Sequence, residues 1–455
     1  MTSKSELPHV VILGGGFGGL SVCKYLNRTR CRITMIDRQN HHLFQPLLYQ
    51  VATAGLSAPD IAKPIRSLFR KQKNLTVLMD EAVGVDAERK ELLLRDKPPL
   101  SYDMLVMAVG ARTNYFGNDR WEKFAPGLKT IDDARRIRHD LLMAFEHAEH
   151  AEDPAERQKL MRTIVVGGGA TGVELAGAVA ELAKRVLTRD FRNIDTTTAE
   201  ILLLEVSPRV LGSFSESLSA AATTQLRELG VEVRVSQKIL DVREGCVVLE
   251  GEEIEAGNVL WGAGVRGTVL SESLGVEMDG SKRIRVNPDC SVPGLENVYA
   301  IGDAATLKDA KGVQVPGVSP AAMQMGKYAA LQIRRSLRGK ESGRPFVYLD
   351  KGSMATVGRK RAVADIRGWE TTGFLAWLLW LFIHLLFLVG FQKKHLVLVQ
   401  WIYSYATYSR GSRLITGQDR NFKFAEREKH GAQMIGADLR PKDVHDLKPA
   451  LAETP

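Results

Sequence analysis

Two glycine-rich turns have the residue types and the spacing that hold a dinucleotide pyrophosphate. Their glycines are Gly14, Gly16 and Gly19 in the first turn, and Gly167, Gly169 and Gly172 in the second. Each turn follows a short apolar run and precedes a helix-like segment. The positive end of a helix and its free N–H groups can hold a phosphate there, provided that no side chain blocks close approach. The sequence therefore predicts two dinucleotide sites.

An acidic residue ends the strand that follows each turn, where it can accept hydrogen bonds from a ribose hydroxyl. Asp37 ends the run Arg32–Ile36, and Glu205 ends the equivalent run of the second unit. The interval from Gly172 to Glu205 exceeds the usual ~20 residues, which we attribute to an extended helix and loop around Lys184–Ala199. A carboxylate at this position repels a 2′-phosphate, so Glu205 predicts a preference for NADH over NADPH. The alternative is an ordinary exposed glutamate.

The elements that must position these turns follow a βα pattern that occurs twice. Strand-like runs precede both turns, and three more follow at Tyr102–Val109, Asn258–Ala263 and Asn297–Gly302. Short buried runs alternating with helical patterns are typical of a doubly wound parallel sheet. The predicted fold class is therefore α/β, with two Rossmann-like dinucleotide-binding domains. A polar, helix-like stretch, Asp132–Arg162, connects them.

The composition limits the partners of the chain. The 455 residues include 62 Lys and Arg against 53 Asp and Glu, a net charge of +9 that favours anionic partners. No basic stripe with interleaved aromatic residues lies outside the C-terminal tail, so nucleic acid is not an expected partner. The four cysteines form no CxxC and no metal-ligand spacing, and therefore predict neither a disulfide framework nor a metal site.

Two further segments point to a family. One ends in Gly110 and reads Tyr-Asp-Met-Leu-Val-Met-Ala-Val-Gly, and the other ends in Asp303 and reads Asn-Val-Tyr-Ala-Ile-Gly-Asp. Together with the tandem turns, they resemble the two-dinucleotide flavoprotein family. The resemblance implies that the first turn holds tightly bound FAD, that the second holds the nicotinamide nucleotide, and that Asp303 contacts the flavin side of FAD.

Within that family, the sequence is most similar to type II NADH:quinone oxidoreductases. The segments that carry this resemblance are His41–Ala52 (HHLFQPLLYQVA), Gly172–Gly177 (GVELAG), Trp261–Val265 (WGAGV) and the apolar C-terminal segment. The resemblance implies transfer of a hydride from NADH to FAD and of two electrons to a quinone, menaquinone or ubiquinone, without proton pumping. It also adds Gln45, Gly110 and Gly264 to the cofactor-binding residues.

The resemblance implies a quinone site with Gln324 as its main polar candidate, and it gives Glu174 a role at the nicotinamide site. The family's AQxAxQ-type motif aligns with Ser319–Gln324, where Gln324 matches the last position and Pro320 replaces the first Gln. Gln324 is then the main polar candidate, unless it is a helix-capping or buried amide. Glu174 is expected on the first turn of a helix, where the dipole favours its charged form. It would position the nicotinamide and relay protons toward the reduced quinone, or only stabilise the helix.

Two other functions remain alternatives. Sulfide:quinone oxidoreductases use cysteines near the flavin, but Cys246 lies in an expected surface strand and Cys290 in a loop, and we interpret both as structural thiols. The second alternative is a cell-death-type flavoprotein that senses NADH. Disulfide reductase chemistry is not expected, because residues 41–56 contain no cysteine.

The apolar stretch Thr372–Val399 predicts contact with a membrane. Gly373–Phe391 has no formal charge and could nearly cross a bilayer. However, Trp377 and Trp380 lie inside the run, and a second amphipathic piece follows at Leu396–Tyr408, which favours a helical pair in the headgroup layer. His384 could contact quinone or be an ordinary interior histidine. The excess of cations in Lys393–Lys429 indicates the cytoplasmic face of the cell membrane.

We therefore expect a peripheral or monotopic protein, with a true membrane span or a buried dimer interface as alternatives, and a homodimer as the assembly. The predicted order is the first part of the FAD domain (1–120), the NADH domain (121–280), the second part of the FAD domain (281–345) and the C-terminal membrane-docking and interface region (346–455).

Overall fold

Two parallel sheets form the centre of the fold, and each contains the strand that precedes a glycine turn. The first has five strands, in the spatial order Val298–Ala300, Met104–Met107, His9–Leu13, Arg32–Asp37 and Leu75–Met79. The second has four strands, in the order Val231–Arg234, Ile201–Leu204, Thr163–Val166 and Asn258–Trp261. The predicted α/β class with two Rossmann-like sheets is confirmed.

The computed structural model describes residues 7–388, 398–399, 401 and 412–415. Nearly all of them belong to one compact unit, Met1–Leu414. A second unit, Ile415–Pro455, is described only at Ile415. Since the contacts do not divide the first unit further, the domain boundaries given above stay a prediction.

A helix follows each glycine turn and packs on its sheet. These helices are Phe17–Tyr25 and Ala170–Glu181. The helix Ser319–Ser336 lies against Phe17–Tyr25, and the two backbones approach so closely that a Cβ on Gly326 would overlap the carbonyl oxygen of Gly18. Close packing of this kind brings the start of Ser319–Ser336 to the first glycine turn.

The polar stretch Asp132–Arg162, which connects the two dinucleotide-binding sheets, is helical, as expected. Ile131–His150 begins at a capping box formed by Thr130 and Asp133, and a second helix, Pro154–Leu160, follows it. The first of these helices buries an apolar face that includes Ile137 and Leu141.

The long interval before Glu205 also has the expected cause. Ala170–Glu181 continues into a π-helical turn, Leu182–Val186, and then into 3₁₀ turns at Leu187–Arg189 and Thr196–Thr198. The strand Ile201–Leu204, which Glu205 follows, therefore begins farther along the chain, but it still pairs with Thr163–Val166.

The C-terminal region contains a sheet that the sequence reasoning missed. Three antiparallel strands, Ser353–Gly358, Arg361–Ile366 and Trp369–Thr372, precede the helix Gly373–Phe387. The prediction for residues 346–455 was a membrane-docking and interface region with helices in its apolar stretch, and it named no strands. Both faces of this sheet carry buried residues, Ala355 and Val363 on one face and Ala362 and Ala364 on the other, so the sequence shows little period-two pattern.

Shorter elements complete the fold. The remaining strands are His41–Leu43, Ala62–Pro64, Ala82–Asp86, Glu91–Leu94, Leu100–Ser101, Arg112–Thr113, Asp241–Arg243, Cys246–Leu249, Glu252–Glu255, Val265–Arg266, Ile284–Arg285 and Ala305–Thr306. The remaining helices and 3₁₀ turns are Gln45–Leu47, Leu48–Ala52, Ala58–Ile61, Ile65–Leu68, Asp119–Lys123, Glu216–Glu228, Val269–Glu272 and Gly302–Ala304.

Candidate active site

The first glycine turn has the shape of a phosphate cradle. Gly14 has a φ of +100°, and a Cβ there would overlap the carbonyl oxygen of Ala108. A Cβ on Gly19 would overlap the carbonyl oxygen of Gly14. A Cβ on Gly16 meets no protein atom within 4 Å and points into open space at the start of the helix Phe17–Tyr25. Gly14 and Gly19 therefore shape the turn, while Gly16 leaves room for a ligand.

The second turn repeats this arrangement residue for residue. Gly167 has a φ of +104° and packs against the backbone of Gly262 and Ala263, and a Cβ on Gly172 would overlap the carbonyl oxygen of Gly167. A Cβ on Gly169 again meets no atom within 4 Å. The residues present therefore fit two dinucleotides, one at each turn.

Asp37 and Glu205 occupy equivalent places beside the two turns. Asp37 accepts a hydrogen bond of 2.6 Å from the backbone N–H of Gly15 through Oδ2. Glu205 accepts one from the backbone N–H of Gly168 through Oε2, and its Oε1 accepts another, of 2.7 Å, from the N–H of Ser207. Both acids lie at the carboxyl end of their strand, as expected, and their contacts with a ribose stay predictions.

Gly110 and Asp303 lie at the same edge of the first sheet as the first turn, because each follows a strand that ends there. Gly110 has a φ of +68°, and Asp303 lies in the 3₁₀ turn Gly302–Ala304.

The amide nitrogen of Gln45 lies 3.5 Å from the carbonyl oxygen of Lys129. Burial lowers the pKa of Lys129, and the charge of Asp303 opposes this in part. Sequence reasoning missed Lys129, since no motif marks it.

Gly264 lies at the corresponding edge of the second sheet. Its φ is +70°, and a Cβ there would come within 2.8 Å of the Phe116 ring. A Cβ on Gly262, two residues earlier, would lie 3.1 Å from the Cα of Gly172. The segment after the strand Asn258–Trp261 thus packs directly behind the second glycine turn.

Glu174 lies farther along its helix than expected. It is the fifth residue of the helix Ala170–Glu181, so the expectation of a first-turn position was wrong. The expected charged form was wrong too: burial raises the pKa of Glu174 to about 8, and the backbone of Thr356 and the indole N–H of Trp380 offset only part of this. The side chain lines a cavity of about 50 Å³. Glu174 therefore faces the C-terminal sheet and helix and holds a proton at neutral pH.

The side-chain amide of Gln324 forms hydrogen bonds with the backbone of Leu349. Its Nε2 donates to the carbonyl oxygen of Leu349, and its Oε1 accepts from the N–H of Leu349, both at 3.0 Å. Pro320 is the second residue of the helix Ser319–Ser336. This geometry favours the structural alternative for Gln324, and its contact with quinone stays a prediction that would require these two bonds to be exchanged.

Trp377 and Trp380 face the protein, with exposed fractions of 7% and 1%. These two indoles therefore contact the protein, and the helical pair in the headgroup layer stays a prediction. Trp380 stacks on His384 at a ring-centroid distance of 4.1 Å, and His384 lies edge-on to Phe44 at 6.3 Å. The C-terminal helix Gly373–Phe387 is therefore anchored by aromatic contacts to the Phe-Gln-Pro-Leu-Leu-Tyr segment.

Two histidines in this part of the protein have lowered pKa values. Burial lowers the pKa of His384 to about 4, and its Nδ1 lies 2.8 Å from the carbonyl oxygen of Trp380. His384 thus fits the interior alternative. Burial also lowers the pKa of His42 to about 4, and its Nδ1 lies 3.0 Å from the carbonyl oxygen of Gly15 in the first turn. His42 belongs to the segment His41–Ala52, and the sequence alone predicts no role for it.

The outer face of the helix Gly373–Phe387 is apolar. Its exposed side chains are Phe374, Leu375, Leu378, Phe382, Leu386 and Phe387. In the part of the chain that the structure describes, no helix combines the length and the hydropathy needed to cross a bilayer. Most of Leu396–Tyr408 and of Lys393–Lys429 lies outside the described residues.

The surroundings of Cys246 and Cys290 argue against the alternative of a sulfide:quinone oxidoreductase. Burial raises the pKa of Cys290, which is fully buried, and burial together with Glu253 raises that of Cys246 on its strand. Both shifts work against the thiolate that would attack sulfide.

The fold and the paired turns define a flavoprotein of the two-dinucleotide class, and comparison with known families agrees. Residues 8–326 match the pyridine nucleotide-disulphide oxidoreductase family, and residues 351–407 match the NDH2 C-terminal domain. The chain is 44% identical over 423 residues to the type II NADH:quinone oxidoreductase Ndh of Mycobacterium tuberculosis, covering 90% of each chain. The chain therefore belongs to the type II NADH:quinone oxidoreductase family and is an oxidoreductase.

More distant similarities agree with this assignment. The type II NADH:quinone oxidoreductase of Haemophilus influenzae is 27% identical, covering 79% of this chain and 87% of that one. The structure of NDH2 from Plasmodium falciparum in complex with NADH superposes with a TM-score of 0.83 at 21% identity, covering 90% of this chain and 100% of that chain. A sulfide:quinone oxidoreductase from Aquifex aeolicus gives a TM-score of 0.67 at 16% identity, covering 94% of this chain and 95% of that chain. These two structures bear on the fold alone.

Proposed function

We propose that the chain transfers a hydride from NADH to bound FAD and then two electrons to a quinone of the respiratory chain, without pumping protons. The observation that carries this proposal is the repeated geometry of the two turns. Each has an exposed glycine where a phosphate would lie, Gly16 or Gly169, and an acid bound to the neighbouring backbone, Asp37 or Glu205.

The first turn and its surroundings hold FAD. Gly14, Gly16 and Gly19 receive the pyrophosphate, Asp37 accepts from the ribose, and Gln45, Gly110 and Asp303 lie toward the flavin. When bound, FAD supplies the redox chemistry by accepting a hydride and passing on two electrons. The half-buried amine of Lys129 places a positive charge near Asp303 and limits the negative potential there.

The second turn holds NADH during turnover. Gly167, Gly169 and Gly172 receive its pyrophosphate at the helix N-terminus, and Glu205 faces the ribose that carries a 2′-phosphate in NADPH. Gly264 keeps the neighbouring loop close to the nicotinamide end.

Quinone reduction uses the protonated carboxyl of Glu174. A group with a pKa of about 8 can give up a proton near neutral pH and regain it. Its place between the helix Ala170–Glu181 and the C-terminal helix supports a role on the quinone side rather than at the nicotinamide. Gln324 holds the segment at Leu349 in place and is the second residue that we assign to this region.

The protein docks on a membrane surface through the outer face of Gly373–Phe387, where quinone enters from the lipid. The exposed side chains of this face are all apolar, while its tryptophans hold the helix to the protein. We further propose a peripheral or monotopic location on the cytoplasmic face of the cell membrane, and a homodimer.

One assay tests the function. Purified protein is given NADH or NADPH and a short-chain quinone, while flavin absorbance and nucleotide oxidation are followed. We expect flavin bleaching by NADH and rapid recovery on addition of quinone. Bleaching by sulfide without NADH would favour the sulfide enzyme, and a long-lived reduced complex with negligible quinone turnover would favour an NADH sensor. A protein that stays colourless after reconstitution with FAD would contradict the proposal.

A further inference from the structure

Two cavities meet at the end of the helix Ala170–Glu181 and share two residues. The inner cavity reaches Glu174, and the outer pocket lies at the end of the hairpin formed by Ser353–Gly358 and Arg361–Ile366. Glu181 and Arg359 line both of them. Glu181 also accepts a hydrogen bond from the backbone N–H of Arg359, which fixes its carboxylate at the junction.

The inner cavity has the size and the polar wall that ordered water requires. Its volume of about 50 Å³ exceeds the roughly 10–15 Å³ that a cavity needs to hold a water. Besides the two glutamates, the polar side chains of Gln50, Thr53 and Thr356 line it. Water in a cavity of this kind bridges polar groups that do not touch each other.

Glu174 and Glu181 lie on one face of their helix. Seven residues make nearly two full turns, so the side chains point the same way and their Cα atoms are about 10.5 Å apart at 1.5 Å per residue. Gly177 lies between them, and a Cβ there would overlap the carbonyl oxygen of Val357. This glycine lets the helix lie directly on the strand Ser353–Gly358, which closes the cavity on that side.

The outer pocket opens to solvent, and the inner cavity does so to a similar degree. It measures about 130 Å³ and is lined by Glu181, Arg185, Glu228, Leu229, Arg359, Lys360 and Arg361. Arg185, Glu228 and Lys360 are exposed, whereas Glu181 and Arg359 are half-buried. Exposure therefore decreases from the outer pocket toward Glu181.

The charged groups around the two carboxyls differ. Toward Glu174 face the indole of Trp380 from the C-terminal helix and Thr356 from the strand, and the phenol of Tyr49 lines the same cavity. Around Glu181 lie the cations of Arg185, Arg359, Lys360 and Arg361, and the carboxylate of Glu228, which pairs with Arg361 at 3.1 Å. Glu181 therefore lies among cations at the outer pocket, whereas the side chains that face Glu174 carry no charge.

We infer that Glu181 takes protons from solvent at the outer pocket and passes them through water in the inner cavity to Glu174, which delivers them to the quinone. The overall reaction consumes one proton per turnover: NADH, H⁺ and quinone give NAD⁺ and quinol. Glu174 gives its proton to a quinone oxygen and is protonated again from Glu181, so neither carboxyl changes over the cycle. This inference rests on the proposed function and adds the route by which the proton arrives.

The test is Glu181→Gln, which keeps an acceptor for the N–H of Arg359 but carries no exchangeable acid proton. In stopped flow, we expect flavin bleaching by NADH to keep its rate, and reoxidation by a short-chain quinone to slow at least tenfold. Above neutral pH the variant's reoxidation should fall by about tenfold per pH unit, while the original protein holds its rate to near pH 8. Glu181→Asp, which retains an acid, should recover part of the rate.

Glu149→Gln is the matched control. Glu149 also accepts backbone N–H groups, from Arg192 and Asn193 at 3.1 Å, but it lies on the helix Ile131–His150, away from both cavities. This variant should keep both half-reactions and the pH profile.

A second readout does not depend on turnover. The infrared carbonyl band of the protonated Glu174 carboxyl shifts when its proton is exchanged in D₂O, and Glu181→Gln should slow this shift. If Glu181→Gln does not fold, Gly358→Ala serves instead, since its Cβ would come within 2.9 Å of Oε1 of Glu181 and obstruct the junction.

The outcomes separate the two hypotheses. If the unmodified protein lacks either half-reaction, the proposed function fails. If it performs both, and Glu181→Gln or Gly358→Ala leaves reoxidation, its pH profile and the D₂O exchange unchanged, the route through Glu181 is overturned while the function stands.

Discussion

The indole N–H of Trp401 donates a hydrogen bond of 2.9 Å to the side-chain oxygen of Gln50, 351 residues earlier in the chain. Both side chains are buried, and the amide nitrogen of Gln50 donates in turn to the hydroxyl of Tyr49 at 2.9 Å. A residue of the C-terminal region thereby completes the wall of the cavity that Glu174 lines. The C-terminal region is therefore part of the active-site structure as well as a docking element.

Trp401→Phe should lower the free energy of unfolding by about 1–3 kcal/mol, because the buried amide oxygen of Gln50 loses its donor. Urea unfolding followed by circular dichroism measures the change. Trp369→Phe is the control, since Trp369 is 52% exposed and should give no change. Equal stability of Trp401→Phe and the original protein would show that this bond contributes nothing.

Gly169→Ala should weaken NADH binding at least tenfold while leaving FAD content and melting temperature unchanged. Its Cβ would meet no protein atom and would stand where we place the pyrophosphate. Gly172→Ala is the contrasting variant, since its Cβ would overlap the backbone of Gly167 and should lower the melting temperature. Titration of the flavin signal with NADH separates the two, and unchanged NADH affinity in Gly169→Ala would contradict the assigned phosphate position.

Glu205→Gln should reduce the preference for NADH over NADPH, chiefly by improving kcat/KM for NADPH, because a neutral amide no longer repels a 2′-phosphate. Removal of a like charge next to a phosphate is worth about tenfold. Glu250→Gln, an exposed position on a hairpin turn, controls for the change in net charge and should keep the original preference. An unchanged NADH-to-NADPH ratio in Glu205→Gln would remove the role of this residue.

The sequence was sufficient to predict both glycine turns and the strands beside them, because a close backbone approach admits only glycine at Gly14, Gly19 and their counterparts. The acids were also predictable: Asp37 and Glu205 end strands, and strand ends are set by local pattern. These features depend on a few neighbouring residues, so periodicity and spacing describe them adequately.

The properties of Glu174 could not be predicted in this way. Its proton affinity depends on Trp380 and Thr356, which are about 180–200 positions away in the chain, and on a sheet that has almost no hydrophobic pattern. The packing of Trp380 could not be predicted for the same reason: an aromatic residue in an apolar helix has no preferred face until its packing partners are known. Gln324 illustrates the same limit, since the backbone of Leu349 binds its amide.

Glu174 should make a contribution to the stability of the protein that falls as pH rises from about 4.5 to 8, whereas the lowered pKa values of His42 and His384 act in the opposite direction below pH 6.5. In that interval the folded protein keeps on this carboxyl a proton that the unfolded chain releases, since burial raises its pKa from 4.5 to about 8. The contribution is fully present below pH 4.5, is lost progressively up to pH 8, and has a slope of at most about 1.4 kcal/mol per pH unit.

Glu174→Gln should remove this slope, because its amide stays neutral at every pH. Urea unfolding at pH 5, 6, 7, 8 and 9 measures it, with the exposed Glu244→Gln as a control that should retain the original dependence. Parallel pH curves for Glu174→Gln and the original protein would mean that the carboxyl is charged in the folded state.

Phe382→Glu should abolish most binding to lipid vesicles without unfolding the protein. The Phe382 side chain is 64% exposed on the apolar outer face of Gly373–Phe387, and a charge there must be desolvated on entering the lipid. Sedimentation with vesicles that contain anionic lipid measures binding, and the activity with a water-soluble short-chain quinone should remain, because the face lies outside the cavity at Glu174. Val206→Glu places the same charge on a residue that is 67% exposed beyond the second sheet, and should bind vesicles like the original protein. If Phe382→Glu sediments as fully as Val206→Glu, the membrane is held by another surface, and the outer face of this helix becomes available for the dimer interface instead.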